Sequence, residues 1–427
     1  MCRAPFFCYD QKDDRYCTPR GGTVTDTVEF NPFDPEFRLN PYPFYHRLRA
    51  ADPVHWSILA GRWVLTRHTD SVAVLRDAAR FSADPYTWDG FQEFIQTQGG
   101  GDSPLLRMQT NWMLMKDPPD HTRLRTIVTK AFTPRVAEGV RPRIQVIVDG
   151  LLDKVQAAGT MDLIADFAYP LPTAVICEML GVPVEDQEQF KVWTRDLARS
   201  LDPIITPEIM EAANQATVAF YEYFRGLIAK RRQNLQSDLL SGLIAAEEQG
   251  DRLNEEELVA TAILLLGAGH ETTMNLIGNG THALLCHLDE LARLRADLSL
   301  IPSAIEEFLR YDGSVQMTAR TALVDVEIGG KVIPKGTQAI ILLGAANRDP
   351  EVFPEPDRLD ITRKDNKHIV FSYGIHHCLG APLARVEAQV AFATLLRRMP
   401  NLRLTNEDLE WRETVTLRGL KSLPVAF

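Results

Sequence analysis

Phe371-Ser-Tyr-Gly-Ile-His-His-Cys-Leu-Gly380 decides the fold, and the rest of the chain is read outward from it. Cys378 stands between Gly374 and Gly380, and the run 379–398 has helical spacing. Leu379, Leu383, Val386, Val390, Ala393, Leu395 and Leu396 recur along it, with Pro382 tolerated in the first turn. A sulfur just ahead of a helix faces unpaired amides and the positive end of the helix dipole, and both favour the thiolate. Glycines on either side let the backbone turn tightly and let something flat approach it. These residues alone leave two readings open, a buried structural thiol or a ligand or nucleophile.

Upstream, the segment 254–288 reads as one long helix. Asn254 with Glu257 three residues on is a start signal, and acidic residues favour the N-terminal dipole. In its middle lie Gly267-Ala-Gly-His-Glu-Thr-Thr273. Leu265, Ala268, Gly269, Thr272 and Leu276 share a face, so small residues leave a trough holding the Thr272 hydroxyl. Two interior glycines cost about 1 kcal/mol each relative to alanine. Room for a ligand and close helix packing both explain that cost. A helix over 303–311 carries Glu306-Glu-Phe-Leu-Arg310, where Glu307 and Arg310 can pair on one face.

Around these, the pattern predicts helices at 44–51, 134–156, 170–180, 185–199 and 207–232, with a break at Asp202-Pro203. Another at 69–77 would be capped by Thr69 or Asp70. A helix ending at Ala131 puts His121 and Arg125 on one face. Hairpins are expected at 54–58 with 62–66 and at 415–417 with 423–425, and short strands at 318–323, 326–328 and 338–343. The stretch 82–117 holds Gly99-Gly-Gly101 with Tyr86, Trp88, Phe91, Phe94 and Trp112, and reads as a ligand-contacting flap or as core packing. Residues 1–27 read as a loose tail, leaving 28–427 as one large domain.

Apolar content of 45% with 24% charged residues allows a large core in this 427-residue chain. The net charge of -11 argues against nucleic acid. The longest apolar run, 259–269, is too short to span a bilayer, and the first residues lack a signal-peptide pattern, so a cytoplasmic protein is expected. The cysteines, Cys2, Cys8, Cys17, Cys177, Cys286 and Cys378, contain no CxxC and form neither a disulfide framework nor a zinc spacing.

Taken together, the cysteine loop, Ala268-Gly-His-Glu-Thr272 and Glu307-Phe-Leu-Arg310 resemble cytochrome P-450, the haem-thiolate monooxygenase family, from about residue 30 to the end. Phe371, Gly374, His376, Cys378 and Gly380 match its haem-ligand signature. The resemblance implies a mainly α fold with smaller β-sheets and heme b (iron protoporphyrin IX) held between the 254–288 and 379–398 helices. Cys378 would be the iron ligand. His121, Arg125, Arg320 and His376 would pair with the haem propionates, and Ala268 and Gly269 would line the cofactor. Thr272 and Glu271 would be catalytic, the first hydrogen-bonding bound dioxygen and the second relaying protons. Glu307, Arg310 and Arg358 would form a buried structural triad. Trp88, Leu265, Val315, Met317 and Thr416 fall where the family contacts substrate. Their apolar character suits a medium-to-large hydrophobic molecule, in the manner of soluble bacterial members acting in secondary metabolism.

Ser372 stands where many relatives have glycine. A peroxide-driven peroxygenase of the same fold would replace the acid–threonine pair that Glu271 and Thr272 keep, and a catalytically silent recruitment module would lose the cysteine loop. A cysteine hydrolase has only His376 and His377 nearby and no orienting partner. With no flavin or nicotinamide motif, a monomer served by a ferredoxin and its reductase, or a flavodoxin, is expected. That donor would dock near Arg123, Lys130 and Arg385.

Overall fold

Asn254 opens the longest helix, Glu255–Cys286, through a reciprocal cap in the computed structural model, which describes residues 28–97, 103–203, 205–248 and 253–427. Its side chain accepts from the Glu257 amide at 2.8 Å, and the Glu257 carboxylate accepts from the Asn254 amide at 3.1 Å. Past the first turn nearly every residue is buried, as in a helix enclosed by protein on all sides. It packs against Pro170–Leu180, Ile301–Tyr311 and Ala381–Arg398. Gly280 permits the last two contacts, since a Cβ there would lie 2.9 Å from both Phe308 and Phe392.

Two other long helices start as their sequences prescribe. Thr133 and Thr206 cap Pro134–Gln156 and Pro207–Gln233, each with proline in the first turn. Gly181, left-handed at φ 70°, closes Pro170–Leu180. Five strands form the main sheet: β1 (Val54–Ser57), β2 (Arg62–Leu65), β3 (Phe81–Ser82), β5 (Met317–Ala322) and β8 (Gln338–Leu342), in the order β1-β2-β8-β5-β3. Only β2 and β8 run parallel. A three-stranded sheet joins β4 (Thr160–Asp162) to β10 (Pro424–Ala426) and β9 (Arg403–Leu404), and β6 (Val326–Ile328) pairs with β7 (Lys331–Ile333). The whole is a single, mainly helical domain.

Several local expectations change. The helix His68–Arg76 has Arg67 at its cap with no side-chain bond, so Thr69 and Asp70 fall inside the first turn. The stretch read as irregular carries the short helices Phe91–Thr97 and Pro104–Gln109. What read as one helix over 254–288 ends at Cys286, and Leu288–Ala296 starts anew after His287. The expected C-terminal hairpin does not form. Leu417 instead bridges to Val315, and β10 pairs with β4 and β9. Val315 and β4 lie far off in sequence, beyond the reach of a local pattern. The tail at 1–27, its three cysteines and the glycines at 99–101 lie outside the described residues. Among the described residues no helix is long and apolar enough to cross a membrane.

Candidate active site

A cavity of about 540 Å³ is walled by the long helix, the cysteine loop, the sheet β5/β8 and the segments 83–94 and 105–115. Cys378 opens onto it just ahead of Ala381–Arg398. The loop is held by the Cys378 amide donating to the Phe371 carbonyl at 2.8 Å, and by Ser372 and Gly374 at positive φ. Burial raises the Cys378 thiol, while the backbone amides of Gly380 and Ala381, with Arg125 and Arg385, pull the other way. The expected net lowering is therefore not what this environment gives, because desolvation outweighs the helix amides.

Four basic side chains converge on the same cavity. His121 and His376 lie with ring centroids 4.3 Å apart, and the Nε2 of each is buried without a hydrogen-bond partner. Arg320, buried on β5, donates to the Ala319 carbonyl at 2.7 Å, and Arg125 donates to the His377 carbonyl. Burial, with the charges of Arg320, His121 and Arg125, pushes His376 down to about 2, and burial pushes Arg320 to about 10. Asp117 is the nearby acid, but it accepts from Ser82 and the Ala83 amide. A buried cluster of this sign, with unsatisfied ring nitrogens, suits an anionic group. The two carboxylates of a haem fit it, as Cys378 fits the metal.

On the long helix, Ala268 and Thr272 line the cavity, and the Thr272 hydroxyl donates back to the Ala268 carbonyl at 3.0 Å. Gly269 also borders the cavity, yet a Cβ there would lie 2.9 Å from Ile176, so its small size serves helix packing. Glu271 is buried, and Arg412 approaches its carboxylate at 3.4 Å. Burial pushes Glu271 up to about 7, with Arg412 lowering and Asp202 raising it. Asp202, raised by burial to about 6, accepts from the Val415 and Thr416 amides at 3.1 and 2.9 Å. Sequence reasoning missed Arg412, which sits in a polar loop with no periodicity. It saw Asp202 only as a helix break.

Trp88, Leu265, Val315, Met317 and Thr416 all reach the cavity, as do Phe371 and Gly380. Gly374 does not. Its φ of 68° and the Leu75 carbonyl, 2.6 Å from where a Cβ would stand, make it a turn residue. The charge triad is also revised. Glu307 and Arg310 pair at 2.8 Å, fully buried, but the third guanidinium is Arg363, at 3.1 Å from Glu307. Arg358 offers Arg310 only its carbonyl, at 3.1 Å, while its side chain turns to Glu355 at the surface. The positive charge expected for docking is largely engaged. Arg385 pairs with Glu306 and Arg123 with Glu257, both at 2.6 Å, while Lys130 is exposed.

The family model described as Cytochrome P450 matches residues 92–405. Cytochrome P450 CYP107DY1 of Priestia megaterium is 46% identical over 86% of this chain and 90% of its own. Cytochrome P450 monooxygenase PikC of Streptomyces venezuelae is 42% identical over 96% of each chain. Among solved structures, P450BioI, in complex with hexadec-9Z-enoic acid ligated acyl carrier protein, is similar at TM-score 0.86 and 42% identity. That match covers 92% of this chain and all of the other.

Proposed function

The chain belongs to the cytochrome P450 family of haem-thiolate monooxygenases, and from that premise we propose that it inserts one oxygen atom of O2 into a medium-to-large hydrophobic molecule. The observation that carries this reading is the convergence of Cys378, the basic cluster with its two unsatisfied histidine nitrogens and the Ala268–Thr272 wall on one cavity. Cys378 would ligate the iron of heme b, and His121, Arg125, Arg320 and His376 would hold its propionates. When bound, that group supplies the activation of dioxygen, which the protein's own side chains cannot perform.

The protein's part is proton supply, orientation and exclusion of water. Thr272 presents a hydroxyl that can leave the Ala268 carbonyl and donate into the cavity. Glu271, at about 7, exchanges protons near neutrality, the range where a general acid or base works best. Arg412 keeps it from climbing further by favouring the carboxylate. Leu265, Val315 and Met317 give the substrate an apolar wall. The retained Glu271–Thr272 pair favours the O2 route over a peroxide-driven one. Electrons would come from separate ferredoxin- or flavodoxin-type donors. With Arg123 and Arg385 engaged in ion pairs, those donors would meet Lys130 and its surroundings.

The test is the reduced, carbon monoxide-bound spectrum. The red-shifted Soret band of thiolate ligation is expected in the native protein and lost in Cys378→Ser. A band that survives the substitution overturns the assignment.

A further inference from the structure

We propose that the cavity holds a subsite for the carboxylate of an amphipathic organic acid, formed by the guanidinium of Arg62; this rests on the monooxygenase reading of the same cavity. Arg62 begins β2, in register with Ser57 of β1, and lines the cavity with only 8% of its surface exposed. Its guanidinium lies 4.3 Å from the Trp88 ring and 5.8 Å from that of Phe94. Its Nε is buried without a hydrogen-bond partner, and no carboxylate among the described residues acts on it.

Other buried arginines are matched. Arg310 meets Glu307, Arg348 meets Asp357 and Arg418 meets Asp312, each at 2.8 Å, and Arg231 meets Asp238 at 3.2 Å. Arg320 belongs to the cluster that suits the cofactor. Arg62 has only aromatic faces. A cation over a ring gains less than burying an ion costs, so the aromatic faces alone do not offset the burial. Burial pushes Arg62 to about 10, so it stays charged at neutral pH.

What is missing is an anion. A guanidinium's planar fork binds a carboxylate through two parallel hydrogen bonds. Trp88, Phe91, Phe94 and Leu106 surround the approach with apolar surface, which suits a hydrocarbon body next to the charged end. Asp202 and Glu271 disfavour an anion at their own wall. An acid therefore enters in one orientation, carboxylate on Arg62 and chain in the remainder of the cavity.

The experiment is calorimetric titration of the haem-loaded protein with a long-chain fatty acid and with its methyl ester. It is repeated with Arg62→Leu and Arg62→Lys. Arg62→Leu is expected to weaken the acid about ten- to hundredfold and the ester by less than about twofold, with Arg62→Lys recovering part of the loss. Equal binding of acid and ester to the native protein overturns the subsite, as does an equal loss of both in Arg62→Leu, which would make Arg62 a prop for Trp88. The carbon monoxide spectrum is read on the same samples. Its failure in the native protein overturns the monooxygenase reading, whereas a normal spectrum without acid preference overturns the subsite alone.

Discussion

Glu271 is a carboxyl group whose ionisation is set by burial and two neighbours. Burial and Asp202 favour the neutral form and Arg412 the charged one, and the balance falls at about 7. If it relays protons, the fraction of electrons that end in product should change across that pH. Arg412→Leu removes the stabilising cation, so the inflection should move to higher pH; Glu271→Gln should erase it. Stopped-flow or steady-state coupling measured between pH 5.5 and 8.5, as a range of about three units around that value, checks both. Thr272→Ala should leave substrate affinity unchanged and divert electrons to hydrogen peroxide, read by peroxide assay against product. A fourth residue tests backbone strain. Ser372 sits at φ 60°, left-handed for a residue with a Cβ, and its hydroxyl is buried without a partner. Ser372→Gly should raise stability by about 1 kcal/mol, measured by denaturant unfolding. The pair Glu271–Thr272 was legible because both residues sit in one short motif. Arg412 was not, since it meets Glu271 across 141 positions of chain with nothing periodic around it.

At the scale of elements, the long helix separates two uses of glycine that look alike in sequence. A Cβ on Gly267 would meet nothing within 4 Å, while one on Gly269 would press on Ile176 at 2.9 Å. Gly267→Ala should therefore stabilise by about 0.5–1 kcal/mol through helix propensity. Gly269→Ala should destabilise by about 1–3 kcal/mol through overpacking, and adding Ile176→Val should return part of that. Thermal or denaturant midpoints of the variants decide it. Helices with strong starts, such as Pro134–Gln156 and Pro170–Leu180, were readable to their ends because threonine, proline and glycine signals are local. Leu288–Ala296 was hidden because its apolar stripe follows straight on from the longer helix. Arg363 was hidden for another reason: Arg358 and Arg363 stand five positions apart in an irregular stretch, and only its folded path shows which one reaches Glu307.

For the whole molecule, two acids predict a stability that falls on both sides of about pH 4.5. Burial alone would raise Glu306, but its bonds to Arg385 and His368 hold it at about 2. Its contribution is present above its usual 4.5 and is lost as pH falls through that window. Glu387 works in the opposite sense. It is buried in Ala381–Arg398, with Oε2 unpartnered, and burial pushes it from 4.5 to about 8. The folded state keeps a proton that the unfolded chain releases, so stability declines as pH rises across that range, by up to about 1.4 kcal/mol per unit. Glu387→Gln should leave the unfolding midpoint at pH 5 nearly unchanged and raise it at pH 8. The family was legible in the cysteine loop because a metal-binding sulfur needs fixed neighbours at fixed spacing. The buried acids were not, because burial is a property of the assembled core. Arg412 reaches the acid of the long helix, and three residues later the amides of Val415 and Thr416 are tied to Asp202 beside the substrate wall. On the proposed function, Met317 of the substrate wall stands on β5, apart from Glu271 on the long helix, and is free to diverge from it. In 412–416 the two proposed roles share a few bonds, so a substitution there that shifts selectivity should also shift how faithfully electrons become product.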